Sequence, residues 1–125
     1  MARTGLPRNH WKMVLILRGE LRMTPGKAVV QGAHAAVLLV AEAERRHRDW
    51  IEAWRQSGQA KIALQVETLE ELETIRRKAI ARGLPAVFVE DAGYTEVAPG
   101  TKTCLGVGPA PTSELDPLTG ALELY

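Results

Sequence analysis

The sequence predicts a single-domain α/β protein, a mixed four-stranded sheet with helices on both faces in three layers. Three observations predict it. Met13 to Leu17 is an unbroken apolar run, the pattern of a strand buried on both faces. From there to Val89, strand and helix patterns alternate, which calls for crossover connections that place helices against the sheet. The last two strands have no helix between them, so part of the sheet is expected to run antiparallel.

Each element has its own warrant. Residues 1–11 are mostly polar, carry Gly5 and Pro7, and are expected to form a flexible tail ahead of a domain over 12–125. After the first strand, Thr24 suits a helix N-cap and Pro25 the first helical position. The run from Lys27 to Arg46 contains no proline and is rich in Ala, Val and Leu, so a long helix follows, its first part buried. Asp49 opens a shorter helix with Trp50 and Trp54 at i, i+4, a spacing that suits packing better than base stacking. Lys61 to Val66 alternates as a strand. Thr68 and Glu71 form a capping box for a helix striped by Leu69, Leu72, Ile75 and Ala79. Its glutamates lie early and its basic residues late, matching the helix dipole, and Gly83 and Pro85 stop it. Ala86 to Val89 is the third strand and Leu105 to Val107 the fourth. The remainder reads as a turn-rich tail with a last short strand at Ala121 to Leu124.

Composition excludes several classes. With 125 residues, 46% hydrophobic and 25% charged, the chain can bury a core and matches an ordinary globular domain. One cysteine, Cys104, and three scattered histidines give neither a disulfide nor zinc-ligand spacing, so no metal is expected. No apolar run is long enough to span a bilayer and no signal-peptide stretch opens the chain, so no membrane association and a cytoplasmic location are expected. The net charge is only +1, but residues 1–48 hold nine Lys/Arg against three Asp/Glu and the rest seven against twelve. Such a chain can present one basic face to phosphates, unless folding intermixes the halves.

The first helix carries the chemical anomaly. Lys27, Gln31 and His34 share one face at i, i+4 and i+7, and are the strongly polar side chains of an otherwise apolar stretch. Burying them without partners would be costly, so the stripe is expected to line a water-filled cleft. Lys27 also sits in the first helical turn, where the macrodipole disfavours a cation. That placement suggests an anionic partner, whether phosphate, carboxylate or oxyanion; the alternative is a solvated lysine at a helix end. Gly26-Lys27 is not a phosphate loop, because its upstream spacing is wrong and Ala28 stands where Ser or Thr is required. Asp91-Ala92-Gly93-Tyr94-Thr95 follows the third strand, at the edge where open α/β sheets bind ligands. If the first and third strands are parallel, Asp91 comes near Lys27. Asp91 could polarise a water or simply make an Asx-turn with Gly93. Cys104 lacks an activating neighbour and reads as structural.

Three segments together resemble the type II (archaeal/eukaryotic-type) peptidyl-tRNA hydrolases. Gly26 to Ala35 resembles the family's helix motif of Gly-Lys, Gln and His-Ala. Asp91 to Thr95 resembles its Asp-Ala-Gly-x-Thr. Gly100 to Pro109 resembles its Gly-Thr-x-Thr segment ending in Gly-Pro, and Asp116 to Gly120 its close. The resemblance runs from about Lys12 to the end. It departs at Glu20, Tyr94, Glu96 and Cys104, where the family more often has Asp, a basic residue, Gln and Val.

The resemblance implies a mixed four-stranded sheet between helices, often as a homodimer, and cofactor-independent hydrolysis of peptidyl-tRNA. It marks Lys27, Asp91 and Thr95 as functional, with Gln31 and His34 nearby. In that reading Asp91 and Thr95 position and partly deprotonate water, Lys27 stabilises the oxyanion or a terminal phosphate, Gln31 orients substrate, and His34 orients the network or shuttles a proton. His34 as general base is the rival, because imidazole ordinarily titrates near neutrality. Binding of the CCA end and phosphate backbone would rest on Arg18, Arg22, Lys27, Arg45, Arg46 and Arg48. The alternatives are a non-catalytic tRNA- or translation-associated binding module and an adaptor using an exposed Trp50/Trp54 surface.

Overall fold

A computed structural model describes residues 10–93 and 96–125. The first nine residues of the expected tail, and Tyr94 and Thr95, lie outside the described residues. Trp11, assigned to the tail on sequence, begins the first strand.

The elements in chain order are β1 (Trp11–Arg18), a 3-10 turn (Gly19–Leu21), α1 (Pro25–Arg46), α2 (Arg48–Gln56), β2 (Lys61–Val66), α3 (Leu69–Ala81), β3 (Ala86–Glu90), β4 (Lys102–Pro111), α4 (Thr112–Thr119) and β5 (Glu123–Leu124). The sheet order is β3-β4-β1-β2-β5. β1 and β2 pair in parallel, Met13 opposite Lys61 through Arg18 opposite Val66. β4 runs antiparallel to both β1 and β3, so β1 and β3 point the same way.

The apolar run of β1 builds two cores because successive side chains face opposite ways. Met13, Leu15 and Leu17 pack under α1 and α2 with Ala35, Leu39, Ile51 and Trp54. Val14 and Ile16 face Leu72, Ile75 and Ala79 of α3 and Leu115 of α4. Helices therefore cover both faces, as the three-layer reading requires. α1 lies close on β4 at Gly106, where a Cβ would lie 2.6 Å from Leu39 Cδ1.

Three local expectations change. The sheet has five strands rather than four, because Glu123 and Leu124 pair with Gln65 and Leu64. β4 is ten residues long, not three. Its glycines and prolines weaken its sequence signal, and pairing on both sides overrides that weakness. The tail contains α4, which tolerates Pro117 because it buries Leu115 and Thr119 against the sheet.

The adaptor reading meets one buried tryptophan and one half-buried one. Trp54 is inside the core and donates its indole N–H to Ala60 O at 2.9 Å. Trp50 stacks on His47 with centroids 4.0 Å apart and leans on Trp11. Cys104 lies in β4 beneath α1, where burial pushes its thiol up to about 12. No helix among the described residues is long and apolar enough to cross a membrane.

Candidate active site

The site forms where the N-terminus of α1 meets the end of β3. Since β1 and β3 are parallel, the helix that follows β1 starts at the sheet edge where β3 ends. Lys27, in the first turn of α1, thereby meets Asp91, the residue after β3. Lys27 Nζ donates to Asp91 Oδ1 in an ion pair whose side chains are only 7% and 6% exposed. The anionic partner inferred for Lys27 is thus the protein's own carboxylate.

Asp91 is held on every side by main chain. Its N–H donates to Thr101 O at 2.9 Å, and its carbonyl accepts from Gly100 N–H at 2.7 Å. Its Oδ2 accepts from Gly93 N–H at 2.8 Å, so the Asx-turn and the charged pair coexist in one residue. Gly93 has φ +90°, and a Cβ there would meet Pro99 Cγ at 2.4 Å.

Gln31, one turn beyond Lys27, is buried, and its Oε1 accepts from the Thr103 hydroxyl of β4. The expected water-filled cleft along Lys27, Gln31 and His34 is therefore not what this face builds. Lys27 and Gln31 are met by polar partners from β3's end and β4, and only His34 is exposed. Burial of polar groups is stable when each finds a partner, and here the partners come from far along the chain. Thr103→Val should leave the Gln31 amide oxygen unpaired and lower stability by about 1–3 kcal/mol, measured by urea unfolding. An unchanged midpoint would show that the bond adds nothing.

A second tie escaped the sequence reading. Glu96 accepts from Thr24 N–H at 3.1 Å and from the Thr24 hydroxyl, tying the chain at Glu96 to the N-cap of α1. The signal was present in Thr24 as an N-cap and in Glu96 as a departure, but nothing in the sequence joined them. These hydrogen bonds from Thr24, side chain first, hold the Glu96 carboxyl below the usual glutamate range. A depressed folded value means the contribution is present above the ordinary glutamate range and fades as pH falls through the lowered one. Thermal melts should therefore show wild type losing its advantage over Glu96→Gln as pH drops below about 4. Parallel melting curves for the two proteins would refute the tie.

The proposed tRNA contacts separate into two groups. Arg18 and Arg22 lie at the Lys27 end. Arg18 Nε pairs with Glu20 at 2.7 Å and its Nη1 donates to Lys102 O at 3.2 Å, while Arg22 is exposed. Arg45 and Arg46 both pair with Glu42 at 3.0 Å near the far end of α1, and Arg48 opens α2. At 1.5 Å per residue, Arg45 stands about 27 Å along the helix from Lys27. Thr95 lies outside the described residues.

Fold and site define an α/β protein with a buried Lys–Asp pair, clamped by a short loop, beyond the carboxyl ends of two parallel-directed strands. The family model described as peptidyl-tRNA hydrolase PTH2 matches residues 11–125. A peptidyl-tRNA hydrolase of Aeropyrum pernix is 48% identical over 119 residues, covering 92% of this chain and 96% of its own. Peptidyl-tRNA hydrolases of Saccharolobus islandicus and Metallosphaera sedula are each 44% identical, over 117 and 115 residues, covering 90% of this chain and 98% of theirs. The chain belongs to the PTH2 family of peptidyl-tRNA hydrolases.

Proposed function

We propose that this protein hydrolyses the ester bond of peptidyl-tRNA, releasing free tRNA and peptide for reuse in the cytoplasm. Beside family membership, the observation that carries the site assignment is the buried Lys27–Asp91 pair at the mouth of the sheet. An ammonium offers three donors, and Asp91 Oδ1 occupies one. The pair fixes where the others point, a preorganised donor for the oxyanion that forms when water attacks the ester carbon. In this reading Asp91, with Thr95, also positions the attacking water. Gln31 braces α1 against β4 so that Lys27 keeps its place. His34 stands at the exposed rim, and a pH–rate profile unchanged in His34→Ala would exclude it as the base.

The test is release of tRNA from N-acetyl-aminoacyl-tRNA in the presence of EDTA. Turnover establishes the metal-independent esterase; tRNA binding without turnover favours the binding-module reading instead.

Arg18, Arg22, Arg45, Arg46 and Arg48 are proposed to meet the phosphate backbone, with the CCA end at Lys27. If so, log Kd should rise with log salt with a slope of about 0.9 for each phosphate neutralised on duplex tRNA. A flat salt profile would remove these arginines from the interface. A homodimer is proposed through the other flank of α1. There Val29 and Val37, each 71% exposed, border an apolar groove of about 610 Å³ floored by Leu15 and Ala63. Sedimentation equilibrium decides between monomer and dimer.

A further inference from the structure

The free edge of β3 leads away from the candidate site, and we infer that it binds the peptide part of the substrate as an added strand. The inference rests on the peptidyl-tRNA hydrolase reading and goes beyond it by assigning the peptide a track. β3 is the outermost strand on its side of the sheet. The bonds from Gly108 N–H to Pro85 O and from Asp91 N–H to Thr101 O fix its alternation. Main-chain groups of Val87 and Val89 face β4, and those of Ala86, Phe88 and Glu90 face outward. No hydrogen bond among the described residues meets these outward groups.

Proteins usually blunt such an edge with proline, lysine or a covering loop. β3 reads Ala-Val-Phe-Val-Glu, with no proline or lysine inside it and a single charge, Glu90, at its end. Instead its edge is the floor of two adjoining hollows of about 510 and 360 Å³, which share Phe88. Their walls carry exposed apolar side chains, Leu38 of α1 and Ile80 of α3, together with the charged Glu42, Arg46 and Arg76 at the Ala86 end. His34 and Glu90 line the end nearest Asp91.

Direction follows from chemistry. The ester carbon is the peptide's C-terminal carbonyl, and it must sit by Lys27 and Asp91, beyond the C-terminal end of β3. The peptide then runs back toward Ala86, so its own N-to-C direction is parallel to β3. At about 3.3 Å per residue, β3 spans about 16 Å, room for four or five peptide residues. Pairing through main-chain groups gives affinity without reading side chains, which suits an enzyme facing peptides of any sequence.

The test compares kcat/KM for N-acetyl-aminoacyl-tRNA and a tetrapeptidyl-tRNA with the same C-terminal residue. The longer substrate should be better by about ten-fold, the yield of one or two net main-chain hydrogen bonds. Two further tetrapeptidyl-tRNAs carry backbone N-methyl groups on alternate residues, one set each. Edge pairing uses the N–H of every second residue, so one set should erase the gain and the other keep it. No gain with length, or the same response to both sets, overturns the peptide track while turnover of the short substrate leaves the hydrolase reading standing. Absence of turnover with every substrate sinks both. Amide exchange at Ala86, Phe88 and Glu90 that slows with protein concentration alone would assign the edge to a second copy and overturn the inference.

Discussion

Lys27→Met and Asp91→Asn should each reduce turnover of N-acetyl-aminoacyl-tRNA by about a hundred-fold or more, the scale of removing one preorganised oxyanion donor or its orienter. Both singles should also lose stability. Lys27→Met strands a carboxylate in a site where the side chains are nearly dry, and breaking a buried pair from one side costs about 3–5 kcal/mol. Asp91→Asn strands the ammonium instead, because its single carbonyl oxygen can meet Lys27 or the Gly93 N–H while its NH2 confronts the other donor, so it should lose a comparable amount. The double variant, Lys27→Met with Asp91→Leu, tests what the pair is for. Well-packed apolar replacements of a buried pair are often neutral or stabilising, so the double should recover stability measured by urea unfolding. It should remain without turnover. A double variant that regained both stability and activity would reduce the pair to a structural fastening, and the chemistry would have to lie elsewhere, with His34 the next group to examine.

Gly93→Ala should lower kcat by about a hundred-fold while the protein stays folded, because a displacement of about 1 Å in a positioned group can cost that much. Two strains meet at this residue. Its φ of +90° is unfavourable for any L side chain, and a methyl there collides with the ring of Pro99. The ring cannot rotate away, so the loop must move, and Asp91 is two residues upstream with its Oδ2 on the Gly93 N–H. Gly100→Ala is the control. Gly100 also has a positive φ, +80°, but a methyl there meets nothing within 4 Å. Both variants should lose thermal stability from backbone strain, Gly93→Ala more because of the Pro99 collision, and only Gly93→Ala should lose the rate. Equal activities in the two would show that the position of Asp91 does not depend on the Pro99 contact.

The particular residues show what one sequence could and could not disclose. Local signals held. Thr24 caps α1 and Thr68 with Glu71 forms the capping box of α3, because caps depend on neighbours within one turn. Lys27 in a first turn pointed to an anion, and an anion is there. What failed to show was the partner of each polar group. Asp91 is 64 residues from Lys27 and Thr103 is 72 from Gln31, distances that only the crossing of strands and helices can close. With those partners unseen, a polar stripe on an apolar helix looked like a wetted surface rather than an internal polar layer. β4 reads short in the sequence for a related reason. Gly106 reads as weak strand in isolation, yet its missing side chain is what lets Leu39 and Ala35 settle on the sheet. The family resemblance groups Lys27, Asp91 and Thr95, and the fold brings Lys27 and Asp91 together.

The lone thiol gives the molecule a clock. Cys104 is closed off in the middle of the sheet, with its ionisation pushed to about 12. Alkylating reagents attack thiolate, so in native protein at neutral pH the sulfur is shielded twice, by access and by protonation. Each labelled molecule will have opened its sheet at least once. Iodoacetamide uptake followed by mass spectrometry therefore counts opening events directly, with no probe engineered into the chain. Bound substrate that holds α1 and β3 together would show itself as a slowing of that count.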